Sequence, residues 1–145
     1  NDLLIGGVGA DTLNGGADCY QRTASRMQSP AVKIFTSLNL WAICALIAHS
    51  RAYSGSSLHG RIVAMAFALP RVNLRHPSET SPQTKQEAYA TTWEEPGMPI
   101  SVEVPCIDQG IREAMAADPA ALRQKARALA SRYRMEFEII RAKLK

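Results

Sequence analysis

Glycine is concentrated at the start of this chain, where five of its nine glycines fall within the first sixteen residues. Residues 6–14, GGVGADTLN, fill the nine-residue pattern G-G-x-G-x-D-x-U-x, in which U is a large apolar residue. Residues 1–5 fit the end of a preceding repeat, and residues 15–18 begin a following one. Leu4 and Leu13 occupy the apolar position of successive repeats. Because tight turns need glycines where φ is positive and the single apolar residue of each repeat would point inward from a short strand, the pattern predicts short strands joined by tight turns.

The residue types at these turns suit calcium. Glycine permits the positive φ angles of tight turns, so that backbone carbonyls can converge on one ion. Calcium is a hard cation that takes about six to eight oxygen ligands, and aspartate carboxylates complete such a set. The predicted metal-site residues are Asp2, Gly6, Gly7, Gly9, Asp11, Gly15, Gly16 and Asp18.

This segment resembles the RTX family, the haemolysin-type calcium-binding proteins of bacteria. The resemblance covers residues 1–18 and implies a parallel β-roll, in which two nonapeptides make one turn and calcium lies between loops on the same edge. It implies one partial site formed by Asp2, Gly15, Gly16 and Asp18, whereas Asp11 would need a partner from a further turn. It also implies an extracellular, secreted protein, of which this chain is a fragment.

The charge is unevenly distributed along the 145 residues. Residues 1–18 contain three aspartates and no lysine or arginine, which gives −3. Since the whole chain carries +4, the remainder carries +7. An acidic head on a basic body predicts different partners for the two parts. The chain also begins at Asn1 in mid-motif, so we expect a longer parent chain or a broken reading frame.

Residues 19–70 are predicted to be apolar and mainly helical. Residues 31–48 favour a buried core helix over a membrane-associated one, because polar side chains interrupt an apolar run that is already short for a membrane span. Residues 54–60, SGSSLHG, are typical of a loop. The apolar run at residues 62–69 fits either a buried strand or two helical turns.

Residues 71–105 are rich in Pro, Ser and Thr, a composition typical of a linker. Within them, residues 100–104 alternate as ISVEV and stop at Pro105, which predicts an edge strand. The pair Glu94 and Glu95 lies between prolines, and we expect the two adjacent side chains to point apart.

The basic segment 106–145 carries the clearest secondary-structure signal. Asp118 suits an N-cap and Pro119 the first helical position. One apolar stripe then recurs at spacings of three and four residues, at Leu122, Ala126, Leu129, Tyr133, Phe137, Ile140 and Leu144. A shorter helix is expected over residues 107–117. From residue 118 to the end, eight basic residues face three acidic ones.

Two interpretations compete for this basic amphipathic helix. It could bind nucleic-acid phosphates or an anionic membrane surface. We favour the alternative, in which its stripe packs on a core or a partner helix while its charges stay solvated. The aromatic residues Tyr133 and Phe137 belong to the stripe, so no separate set is available to stack on bases.

Enzyme signatures are absent from the sequence: it has no HExxH zinc helix, no GxSxG elbow and no P-loop ending. The predicted fold is mixed and mainly α, with a short N-terminal β-roll remnant, a small helical region and a long C-terminal amphipathic helix. Two functions follow as hypotheses. The first is calcium binding by residues 1–18. The second is a small helical interaction module in the remainder, with the repeat as a remnant.

Overall fold

A computed structural model describes Phe35 and residues 39–75 and 77–144. Five α-helices and three strands occur in this part of the chain, and the expectation of a mixed, mainly α fold is confirmed there. In chain order the elements are α1 (Leu40–Ala48), β1 (Tyr53–Gly55), α2 (Leu58–Ala66), β2 (Arg71–Arg75), α3 (Lys85–Trp93), β3 (Ser101–Glu103), a 3₁₀ turn (Val104–Cys106), α4 (Ile107–Met115) and α5 (Pro119–Lys143). The expected β-roll remnant at residues 1–18 lies outside the described residues.

The three strands form one parallel sheet in the order β1-β2-β3. Gly55 of β1 lies opposite Asn73 of β2, and Asn73 in turn lies opposite Ser101 of β3. Helices α2 and α3 are the two crossover connections, which gives a βαβαβ arrangement. As a consequence, α2, α3 and α4 all begin at the carboxyl edge of the sheet.

The segment predicted as a linker, residues 71–105, contains the central strand β2 and the whole of helix α3. The linker prediction was wrong here because β2 alternates apolar residues with Arg71, Asn73 and Arg75. These three polar side chains form hydrogen bonds with groups outside β2. Helix α3 is held at its start by a capping box between Thr84 and Glu87. The edge strand expected at residues 100–104 is confirmed as β3.

Residues 62–69 are helical rather than a strand, because most of them belong to α2. That helix starts inside the stretch predicted as a loop, where the Ser57 side chain accepts a hydrogen bond from the Gly60 amide (3.2 Å). It ends in a Schellman motif in which the amide of Leu69 donates to the carbonyl of Ala64 (2.9 Å). Ala68 takes the left-handed conformation that this motif requires, with φ of 56°.

Helix α1 differs from the buried core helix expected over residues 31–48. None of its residues is buried, and Leu40 and Trp41 are 65% and 79% exposed. The helix begins at the N-cap Asn39 and packs on α2; residues 31–34 and 36–38 lie outside the described residues. Among the helices that the structure describes, none is long and apolar enough to cross a membrane.

The core lies where the sheet, α4 and the start of α5 meet. Gly110 allows α4 to approach the sheet, since a Cβ there would lie 3.0 Å from Val102 and 3.2 Å from Val72. Beside it, Met98, Ala114 and Leu122 form a buried apolar cluster. The helix predicted from Asp118 onward is confirmed as α5, whose N-cap carboxylate accepts from the Ala120 amide (2.8 Å).

Candidate functional site

The residues predicted to bind calcium all lie outside the described residues. They are Asp2, Gly6, Gly7, Gly9, Asp11, Gly15, Gly16 and Asp18. Calcium binding therefore stays a prediction from the sequence. Within residues 39–75 and 77–144, no group of His, Cys, Asp and Glu side chains is arranged to hold a metal ion.

A buried ion cluster joins α2, β2 and the end of α3. Glu94 Oε2 accepts from Arg61 through Nε (3.1 Å) and Nη2 (2.6 Å), and from Arg71 Nε (3.0 Å). Its Oε1 accepts from Arg71 Nη2. The three side chains are almost completely shielded from solvent, at 0%, 1% and 4% exposure for Arg61, Arg71 and Glu94. Two guanidinium groups therefore share one carboxylate in the interior.

Main-chain carbonyls and one amide complete the shell of Arg61. Its Nη1 donates to Asn73 Oδ1 and to the carbonyl of Ile100, both at 2.8 Å. Its Nη2 also donates to the carbonyl of Pro99 (3.1 Å). All five N–H groups of this guanidinium are thus engaged by the protein. The cluster holds the fold together and leaves Arg61 no donor for a ligand.

The electrostatics of Glu94 follow from this arrangement. Burial opposes its charge, but the hydrogen bonds and charges of Arg71 and Arg61 outweigh burial and hold the pKa of Glu94 below its usual range. The neighbouring Glu95 points elsewhere and pairs with Lys125 of α5 (3.3 Å). The expectation that the adjacent carboxylates point apart is confirmed. The arginine partners were missed, although Arg61 and Arg71 border the apolar run of α2 in the sequence.

The loop at the carboxyl end of β1 forms the start of α2. Of the first amides of that helix, those of Gly60 and Arg61 donate to Ser57. The first turn carries no acidic residue, and the His59 side chain is exposed. Electrostatically this helix end favours an anion over a cation.

The buried side chain of Tyr53 packs against this loop and forms a hydrogen bond with it. Its hydroxyl donates to the carbonyl of Ser57 (3.1 Å), and burial raises its pKa to about 12. The ring fills the space beside Gly60, where an added Cβ would overlap the hydroxyl and lie 2.5 Å from Cζ. Gly60 is therefore required by close packing. From α3, Gln86 Nε2 donates to the carbonyl of Ser56 and fixes the outer side of the same loop.

Helix α5 carries a row of large apolar side chains that becomes exposed along its second half. Its apolar stripe starts at Leu122, which is 2% exposed, and continues through the half-buried Ala126 and Leu129. Beyond them lies the distal stripe, which we define as Tyr133, Phe137, Ile140 and Leu144, with exposures between 54% and 83%. Within the described residues, the first half of the stripe is packed as expected, whereas the second half stays exposed.

Charges flank the stripe on α5. Between Arg123 and Lys143 there are seven basic and two acidic residues. On one side of the stripe, Lys125 pairs with Glu95, and Arg132 lies 5.0 Å from the ring centroid of Trp93 in a cation–π contact.

Comparisons of this chain with protein-family models, with curated proteins and with solved structures gave no match. The functional interpretation of the chain consequently depends on its own residues, their contacts and their charges.

Proposed function

We propose that this chain has two functional parts. Residues 1–18 bind calcium. In the remainder, the first half of α5 packs on an α/β module, which we define as α1–α4 with β1–β3, and the distal stripe of α5 binds a partner. The first part is supported by the sequence pattern and the second by the geometry of the described residues.

The calcium proposal depends on residues 6–14, which match the nine-residue repeat at every specified position. The adjoining partial repeats add Asp2 and Asp18, and the segment carries −3 with no basic residue. Carboxylates and turn carbonyls together form the oxygen-rich environment that calcium prefers. The RTX resemblance supports the same chemistry and an extracellular location.

Terbium luminescence with calcium competition tests this part on the full chain. We expect saturable, calcium-displaceable binding that is lost when Asp2, Asp11 and Asp18 are all changed to Asn. The matched control removes three negative charges elsewhere, by Asp108→Asn, Glu113→Gln and Glu138→Gln, three exposed helical positions. Binding that is absent in the unaltered chain, or equally weakened by both triple variants, would refute the calcium proposal.

The interaction proposal depends on one observation. The stripe that buries Leu122 continues along α5 into four large apolar or aromatic side chains that are more than half exposed. A contiguous exposed apolar patch on a soluble module marks an interaction site. Tyr133 and Phe137 are stacked, with ring centroids 6.1 Å apart, and present a broad aromatic surface.

Hydrogen exchange tests whether this surface is available. We expect the amides of residues 131–143 to exchange much faster than those of residues 121–129, which pack on the module. Equal, slow exchange in both halves of α5 would mean that the distal stripe is already covered, and the interaction proposal would be wrong.

A further inference from the structure

We propose that the partner of the distal stripe is a protein helix with an apolar face and an acidic edge, seated in the angle between α5 and the module. This inference rests on the proposed interaction function and adds the chemistry of the partner.

The direction of the stripe defines the space that the partner fills. Eleven residues make three helical turns plus about 20°, so Tyr133 lies nearly in line with Leu122, and Leu144 nearly in line with Tyr133. Because Leu122 points into the module, the distal stripe faces the side of α5 on which the module lies. The contacts of Lys125 with Glu95 and of Arg132 with Trp93 show that the module also covers one flank of the stripe, roughly 80° to 100° away from it.

A concave angle suits a protein element better than a lipid bilayer. A flat surface that approached the distal stripe would meet the module first, whereas a helix can lie alongside α5 at the usual interaxial distance of about 8–10 Å. A helix that lies on a membrane has a strongly polar outer face, whereas the outer face of α5 includes Met135, which is 57% exposed.

The positive charges beside the distal stripe indicate that the edge of the partner is acidic. At about 100° per residue, one row of arginines lies roughly 80° to 120° from the stripe. It consists of Arg123, Arg127, Arg134 and Arg141, all exposed, of which Arg141 pairs with Glu138 of the same helix (3.2 Å). On the opposite side, Lys125 and Arg132 are already engaged by the module. A partner with Asp or Glu facing the arginine row would be electrostatically complementary.

A second copy of this chain fits this surface poorly. Residues 123–143 carry a net charge of +5, so two copies of α5 side by side would bring two positively charged helices together. The repulsion would oppose the apolar contact, which makes an acidic partner the favoured occupant.

Two synthetic peptides test the inference with the full chain. Both form a helix with a leucine stripe, and one carries Glu and the other Lys on the flanking positions. Fluorescence anisotropy should show the Glu peptide binding at least tenfold more tightly. We expect Tyr133→Ser with Phe137→Ser, and separately Arg127→Glu with Arg134→Glu, to weaken its binding at least tenfold. Met135→Ser on the outer face is the matched control and should leave binding unchanged.

Other outcomes would overturn the inference. Equal binding of the two peptides, or binding of neither, would refute the proposal that the partner is acidic. Phosphatidylglycerol vesicles that bind the chain through the distal stripe would assign a lipid partner instead, and a dimer in sedimentation that the Tyr133 and Phe137 variant abolishes would assign a second copy. The hydrogen-exchange result separates the two proposals: an open distal stripe without preference for the Glu peptide refutes only the partner chemistry.

Discussion

Arg61 and Glu94 are separated by 33 residues in the chain and joined by two hydrogen bonds to one carboxylate oxygen, at 2.6 and 3.1 Å. This pair fastens helix α2 to the end of α3, and Arg71 adds β2 to the same carboxylate. Because the cluster is buried, each charge depends on the others for compensation. The crossover architecture is thus secured by polar contacts in a place where many small domains use apolar packing.

Removing the shared carboxylate should unfold much of this arrangement. Glu94→Gln leaves two buried guanidinium groups without a counter-charge, and we expect the free energy of unfolding to fall by about 3–5 kcal/mol. Glu95→Gln is the matched control: its ion pair with Lys125 is partly exposed, so the loss should stay below about 1 kcal/mol. Urea denaturation of the two variants measures both values, and similar losses would contradict a structural role for the cluster.

The same carboxylate predicts an acid-sensitive fold. The pKa of Glu94 is lower in the folded chain than in the unfolded chain, where it is about 4.3. A lowered folded-state pKa contributes stability above the unfolded value, and this contribution is lost as pH falls through the folded value. We expect the urea midpoint to drop as pH decreases below about 4.3, and less steeply in Glu94→Gln. An equal slope in both proteins would exclude Glu94 as a main cause.

Tyr53 predicts that the fold also loses stability at alkaline pH. Its pKa is raised from 10.0 to about 12 by burial, so the folded chain favours the neutral phenol. A raised folded-state pKa contributes stability below the unfolded value of about 10, and this stability is lost as pH rises from there through about 12. Absorbance at the phenolate band and urea midpoints over this range measure the effect. Tyr53→Phe should flatten the alkaline loss, and an unchanged slope would contradict the assignment.

Gly60 should tolerate no larger side chain while Tyr53 is present. Gly60→Ala places a methyl group against the buried phenol, and we expect a loss of about 1–3 kcal/mol from overpacking. In a Tyr53→Leu background, the same change should cost clearly less, because the ring is gone. Thermal or urea unfolding of the four proteins in this cycle checks the coupling, and additive losses would show that the ring does not impose the glycine.

The sequence allowed some elements to be predicted and concealed others for physical reasons. Helix α5 was readable because Asp118 and Pro119 mark its start and its stripe is periodic. Strand β2 was not predicted because Arg and Asn residues such as Arg71 and Asn73 are usually exposed to solvent. Their partners, Arg61 and Glu94, come close to them only in the folded chain. No local pattern records a contact across 33 residues.

Helix α3 shows a signal that was available and overlooked. Thr84 and Glu87 have the spacing of a capping box, and both of its hydrogen bonds form. The proline and serine content of the surrounding residues predicted a linker instead. The distal stripe shows the opposite case. Periodicity predicted which face of α5 is apolar, but it cannot predict how far along the helix the module covers that face.

The two halves of the α5 stripe should therefore respond differently to substitution. Leu122 is 2% exposed within the core cluster, so Leu122→Ala should cost about 2–5 kcal/mol of unfolding free energy. Phe137→Ala on the same stripe is 54% exposed, and we expect a change within about 0.5 kcal/mol. Urea denaturation measures both, and circular dichroism confirms that α5 stays helical. A loss at Phe137 as large as that at Leu122 would mean that the distal stripe packs within the folded chain and is not an open binding surface.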